Sequence, residues 1–200
     1  IEGADRVLLN FSPDLSAYTL KSLRDLGVEV ELGQMVKAID ADGVSFGDKR
    51  LLTKTIIWAA GVAASPAAKW LDAEADKAGR VKVNADLTLP GHPEIIVVGD
   101  TASISTPEGK PVPGVAPAAK QAGAHAAQLI LARLRGDASP LPFRYAHAGD
   151  LATIGKRSAV IDFGTTKLKG WIAWWGWGIS HIYFLVDFKN RIFLAMSWLW

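Results

Sequence analysis

In "FSPDLSAYTLKSLRDLGVEVEL", Leu15, Tyr18, Leu23 and Leu26 form an approximate helical stripe. Ser12 is placed to cap this helix, Pro13 suits its first position, and Asp14 favours its N-terminal dipole. Gly27 is a good terminator. The alternation in "VEVEL", residues 28–32, predicts a strand with one face on a core. Asp42-Gly43 is a hairpin signal between short strands. "TIIWAAG" predicts a buried strand ending at small residues.

The second half reads differently. A turn at Pro90-Gly91 precedes a second buried strand, Glu94 to Val98. "TPEGKPVPGVAP" is a Pro/Gly-rich loop, and "PAAKQAGAHAAQLILARLRG" predicts a long helix ending near Gly136. "FRYAHAGDLATIGKRSAVIDFG" predicts two strands around Gly155-Lys156. Buried strands mixed with helices point to α/β layers, followed by a different carboxyl-terminal subdomain.

Composition narrows the classes. Of 200 residues, 50% are apolar and 21% charged, so the chain packs a core. A net charge of +2 with no long basic run argues against nucleic acid as a partner. Without cysteine the chain has no disulfide, thiolate metal site or cysteine nucleophile, which fits a reducing compartment. His92, His125, His147 and His181 match no metal spacing and receive no ligand role.

From Gly170 to Val186 no residue is charged, over 17 positions holding four tryptophans. That is the lower edge of a bilayer span. Gly176, Gly178, Ser180 and His181 interrupt it, and tryptophan prefers the interface. A helical projection places Trp171, Trp174, Trp175, Gly178, Ile182 and Leu185 on one side. Lys167, Lys169, Lys189 and Arg191 flank the run, and "IFLAMSWLW" adds a second apolar stripe. The pattern favours helices lying in the interface over a buried core helix or a span.

The sharpest chemical signal is "EIIVVGDTA". Where an apolar strand runs into Gly99-Asp100, the glycine admits a ligand and the aspartate accepts sugar or ribityl hydroxyls. The plain alternative is an aspartate capping a turn. "TIIWAAGV", "IIVVGDTA", "PGVAPAAKQAG" and "GDLATIGKRSAVIDFG", in this order, resemble the type II NADH:quinone oxidoreductases. The resemblance extends through "HIYFLVDFKNRIFLAMSWLW".

The resemblance implies the carboxyl-terminal part of an α/β flavoprotein with two dinucleotide-binding domains and an α+β membrane-associating subdomain. Residues 1–62 would close the NADH domain, 63–137 the FAD domain, and 138–200 the quinone side. Asp100 would bind the FAD ribityl chain, with Gly99 and Thr101 against the flavin. Ala119, Lys120 and Gln121 would stand beside flavin and quinone. The family's commoner form has a glutamine where this chain has Ala116-Pro117. Ala60 and Gly61 would lie near the nicotinamide, and Glu2 would accept the adenosine ribose hydroxyls of NAD. For Lys120 and Gln121 the plain alternative is a solvated helix face. No catalytic side chain and no metal is implied. The partners would be a quinone and, through residues 168–200, the surface of the cell's inner membrane on its cytoplasmic face.

No G-x-G-x-x-G occurs, and "WGWG" follows no βαβ pattern. The chain therefore reads as a fragment, inactive or slow by itself. An exposed half-domain leaves room for a homodimer. A non-catalytic membrane-binding module and another flavin-dependent quinone oxidoreductase remain as rival readings.

Overall fold

The computed structural model describes residues 1–61, 63–138, 141–185 and 187–199. "WAAGV", the uncharged run and "SWLW" thus each end on a residue outside the described set: Val62, Val186 and Trp200. The order is α1 (Pro13–Asp25), β1 (Val36–Asp40), β2 (Gly43–Phe46), β3 (Lys49–Leu52), α2 (Ala67–Trp70), β4 (Val81–Lys82), β5 (Thr88–Leu89) and β6 (His92–Ile96). There follow β7 (Ala102–Ser103), α3 (Ala116–Arg135), β8 (Asp150–Thr153), β9 (Ala159–Asp162), β10 (Lys167–Gly170), α4 (Trp171–Phe184) and α5 (Phe188–Leu199). One unit joins Ile1–Trp58 with Gly149–Trp200; the other is Ala59–Ala148.

In the first unit, Leu15 of α1 is buried with Phe11, Ile154 and Val160. Ser12 occupies the cap position with extended backbone, but its side chain makes no cap hydrogen bond. Its main chain is held instead, because the Ser12 N–H donates to Asp162 Oδ2 on β9 at 3.1 Å. Gly27, at φ +83°, ends the helix as expected, and Val28 N–H returns to Leu23 O at 3.0 Å. Residues 28–32 form no strand. They meet residues 2–4 only at one end, where Glu2 N–H donates to Glu31 O and Gly33 N–H to Ala4 O. A strand needs a ladder along its length, and alternation alone does not supply one.

β1, β2 and β3 form an antiparallel meander. The expected hairpin turn falls on Ala41-Asp42, one residue early. Asp40 Oδ1 accepts from the N–H groups of Asp42 (2.9 Å) and Gly43 (3.1 Å). Gly43 is already in β2, where a Cβ would stand 2.1 Å from Leu51 O. Glycine is needed there for close approach of β3. The expected buried strand at 55–61 is absent: Ile57 is 86% exposed and Trp58 62%. None of the described residues pairs with this segment as a strand, so its apolar residues lack a sheet to enter.

β8, β9 and β10 form a second antiparallel meander with β9 central. The turn around Gly155 lies where the sequence predicts it, and the lysines flanking the uncharged run, Lys167 and Lys169, belong to an additional strand, β10, paired with β9. α4 lies on this sheet. Ala159, Ile161 and Ala173 are buried, with Trp174 and Trp177 packed against them. The inward face therefore carries Ala173, Trp174, Trp177 and Gly178, while Trp171 and Trp175 point outward, 65% and 48% exposed. This corrects the single tryptophan stripe. Small residues at 173 and 178 let the helix approach the sheet, so steric fit sets its rotation.

In the second unit, β5 and β6 form an antiparallel hairpin around Gly91, at φ +79°. The strand before Gly99 is as long as expected but lies two residues earlier, pairs antiparallel with its neighbour, and is exposed from His92 to Glu94, because it forms one arm of a two-stranded hairpin and not a covered central strand. The parallel pair is β4 with β7, Val81 opposite Ala102. α3 covers this layer with Ala118, Ala122, Ala126 and Leu129 buried, and ends at Gly136 in the left-handed conformation.

Candidate functional site

β6 runs through Val97 and Val98 into a single 3-10 turn, Gly99–Thr101, whose first residue has φ +70°. Asp100 is exposed on this turn. The turn packs against α3: a Cβ on Gly99 would stand 3.7 Å from Ala119 Cβ. Before α3, the loop residue Gly114 lies so close that its Cβ would stand 3.6 Å from Asp100 Oδ1. Gly99, Asp100, Gly114, Val115, Ala118 and Ala119 line one cleft, with Arg80, Ile104 and Val112 among its other walls.

The cleft combines an acid, two glycines and three alanines (Ala102, Ala118 and Ala119) with the first turn of a 20-residue helix. Pro117 has no N–H, and Ala118 and Ala119 both donate back to Val115 O. These first-turn N–H groups are missing or already taken, so what α3 offers a ligand beside the Asp100 carboxylate is the positive end of its dipole. Such a pairing suits a ligand offering hydroxyls to Asp100 and partial negative charge to α3.

Of the expected site residues, Gly99, Asp100 and Ala119 share the cleft. Thr101 is next to it, its Oγ1 3.2 Å from Ser65 Oγ. Lys120 is exposed on α3. Gln121 turns its amide to the backbone of Ala146, with both bonds at 2.9 Å. Ala60 and Gly61 are exposed and lie outside the cleft walls. Glu2 belongs to the other unit, where its carboxylate accepts from Ala4 N–H at 2.9 Å.

Sequence reasoning missed Arg80 and Gly114 as walls. Arg80 precedes Val81, which pairs with Ala102, so β4–β7 register brings it beside Thr101. Its guanidinium holds Asp76 Oδ2 at 2.7 Å. Burial acts to raise the Asp76 pKa, but the Arg80 N–H and guanidinium and the Ala78 N–H hold it down at about 2. "DKAGR", an aspartate four residues before an arginine across a glycine turn, is the local signal for that pair.

Residues 1–123 match the model of the pyridine nucleotide-disulphide oxidoreductase family. The chain belongs to that family. It is 36% identical over 211 residues to type II NADH:quinone oxidoreductase NdhA of Mycobacterium tuberculosis, covering 99% of this chain and 44% of that protein. It is 38% identical over 210 residues to Ndh of the same organism, again covering 99% and 44%. The chain thus spans less than half the length of these relatives. Among solved structures, NDH2 from Plasmodium falciparum in complex with NADH superposes with a TM-score of 0.83. That match has 18% identity and covers 99% of this chain and 56% of that one. The resemblance read from the ordered motifs holds, and so does the α/β flavoprotein fold class.

Proposed function

We propose that this chain is part of a type II NADH:quinone oxidoreductase that passes two electrons from NADH through FAD to a membrane quinone without pumping protons. The observation that carries the reading is the cleft in which Gly99, Asp100 and Ala119 meet the first turn of α3. FAD, when bound, supplies the electron transfer. Asp100 would accept the ribityl hydroxyls, and Gly99 and Gly114 leave room because neither carries a side chain. The positive end of α3 would favour negative charge on a reduced flavin ring. Thr101 and Lys120 extend this edge, Ala60 and Gly61 belong to the nicotinamide side, and Glu2 to the NAD ribose, while the Gln121 amide is taken up by the Ala146 backbone and is left out of the cofactor contacts. Identity to the M. tuberculosis enzymes across the chain supports the same reading.

The chain attaches to the membrane surface, in this proposal, through α4 and α5. Trp171, Trp175, Ile179 and Tyr183 are exposed on α4, and Phe188, Ile192, Phe193 and Met196 on α5. Among the described residues no helix is long and apolar enough to cross a membrane. An apolar face on short helices, with tryptophan and tyrosine at its surface, suits an interfacial position on the cytoplasmic side. The 200 residues contain no glycine-rich phosphate loop, and by themselves are expected to hold FAD weakly.

The test is the visible spectrum of the protein as the cell makes it, after incubation with FAD and desalting. Retained flavin should bleach with NADH and recover its absorbance when a quinone is added. Asp100→Ala should lose most of the flavin. Full flavin content in that variant overturns the assignment of Asp100, and a wild-type protein whose flavin NADH does not bleach overturns the function.

A further inference from the structure

Gln121 stands on α3 two residues beyond Ala119, a wall of the cleft. Its Nε2 donates to Ala146 O and its Oε1 accepts from Ala146 N–H, both at 2.9 Å. Two residues facing each other in an antiparallel ladder exchange this same pair of bonds; here a side chain supplies one half. Ala146 belongs to residues 141–148, which form neither helix nor strand and close the second unit. At Gly149 the chain enters the other unit.

Phe143 anchors the start of this strap. It is buried, its N–H donates to Ala85 O at 2.8 Å, and its ring meets the edge of His125 on α3 at 5.6 Å. Tyr145 packs half-buried on the same core. Ala146 is exposed, so burial does not fix it and the Gln121 amide does.

The geometry points to Gln121 as a positioning residue: its amide clamps the strap to the helix that walls the cleft, and so fixes where the chain leaves this unit on its way to the apolar helical pair. It acts through Ala146 and touches neither flavin nor quinone. The site needs a donor and an acceptor side by side. An ionised glutamate offers acceptors only and sets its charge against Ala146 O, while a protonated glutamic acid again has one of each. Gln121→Glu therefore converts the clamp into one that closes on acidification.

Hydrogen exchange over residues 144–148 tests the clamp in the full-length protein, read as protection factors from about pH 8 to about pH 5. Gln121→Ala should lower protection at Ala146 about tenfold, the effect of losing a net-stabilising bond pair. Gln121→Glu should match it at the alkaline end and recover toward wild type at the acid end, while wild type and Gln121→Ala show no such step. A kinetic arm rests on the NADH-to-quinone reading. Both variants, assayed at the alkaline end, should keep flavin content and NADH oxidation by ferricyanide, while the KM or kcat for quinone worsens. Unchanged exchange in Gln121→Ala, or no recovery in Gln121→Glu, overturns the clamp. Flavin loss in step with activity overturns it too, because it would put Gln121 against the cofactor. If the wild type reduces no quinone, the functional reading fails, and the exchange data still decide the clamp.

Discussion

Asp162, on the central strand of the β8–β10 sheet, accepts a hydrogen bond from the backbone N–H of Ser12 across 150 positions of sequence. Its other oxygen accepts from Gly164 N–H at 2.9 Å. One carboxylate thus ends a strand, shapes the following turn and docks the start of α1.

These bonds make a pH prediction. The Gly164 N–H, and after it the Ser12 N–H, hold the Asp162 pKa below its ordinary value of 3.8 against the opposing effect of burial. A folded-state pKa below the unfolded one means the native state binds the proton less tightly. The contribution is whole above the unfolded value and is lost as pH falls through the folded one. Thermal melts of the wild type should therefore lose stability as pH drops below about 4. Asp162→Asn should melt lower at neutral pH and show a shallower acid dependence. Parallel pH profiles for the two proteins would count against the role.

Gly99 sits at φ +70°, where a side chain costs roughly 1–2 kcal/mol. Its Cβ would meet Ala119 at ordinary contact distance, 3.7 Å. The penalty for Gly99→Ala is thus backbone strain and not a clash. Urea unfolding should show a loss of that size together with weaker flavin retention. Ala119→Gly added to Gly99→Ala should not restore stability; restoration would mean that the contact, not the backbone, was limiting.

Trp174 and Trp175 touch ring edge to ring face at 5.3 Å, yet one packs on the sheet and the other faces outward. Of the two faces, only the inward one should govern stability. Trp177→Ala, on the inward face, should cost roughly 2–4 kcal/mol in urea melts, the scale of large-to-small changes at a half-buried site. Trp175→Ala should stay within about 0.5 kcal/mol and weaken co-sedimentation with anionic phospholipid vesicles. If Trp175→Ala binds vesicles as wild type does, the outward face is not the membrane contact.

Replacing Ala173 reports on the same fit. It is fully buried between α4 and the sheet. Ala173→Leu should destabilise by about 1–3 kcal/mol through overpacking, measured by thermal unfolding. A neutral result would mean that α4 shifts freely on the sheet.

The local signals were legible where they act over a few residues. Pro13, Gly27 and Gly136 bound their helices because each restricts or permits a backbone angle regardless of what surrounds it. The Gly99-Asp100 turn and the α3 segment stood out for the same reason, and with them half of the cleft. The cleft's other walls were not legible. Arg80 reaches it through the parallel pairing of Val81 with Ala102, and Gly114 through the approach of a loop to Asp100.

What the sequence by itself determined is which stretches can be helix, turn or apolar, together with the motif order that marks the family. Tertiary structure alone decided which apolar faces are covered. Leu15 and Ile57 read alike as apolar positions, yet one is 1% exposed and the other 86%. It also decided that α4 turns Ala173 and Gly178 inward and Trp175 outward, and that the amide of Gln121 closes on Ala146. Periodicity fixes the spacing of side chains along an element. Burial and hydrogen-bond partnership depend on what stands opposite, and that is set by contacts between residues far apart in the chain.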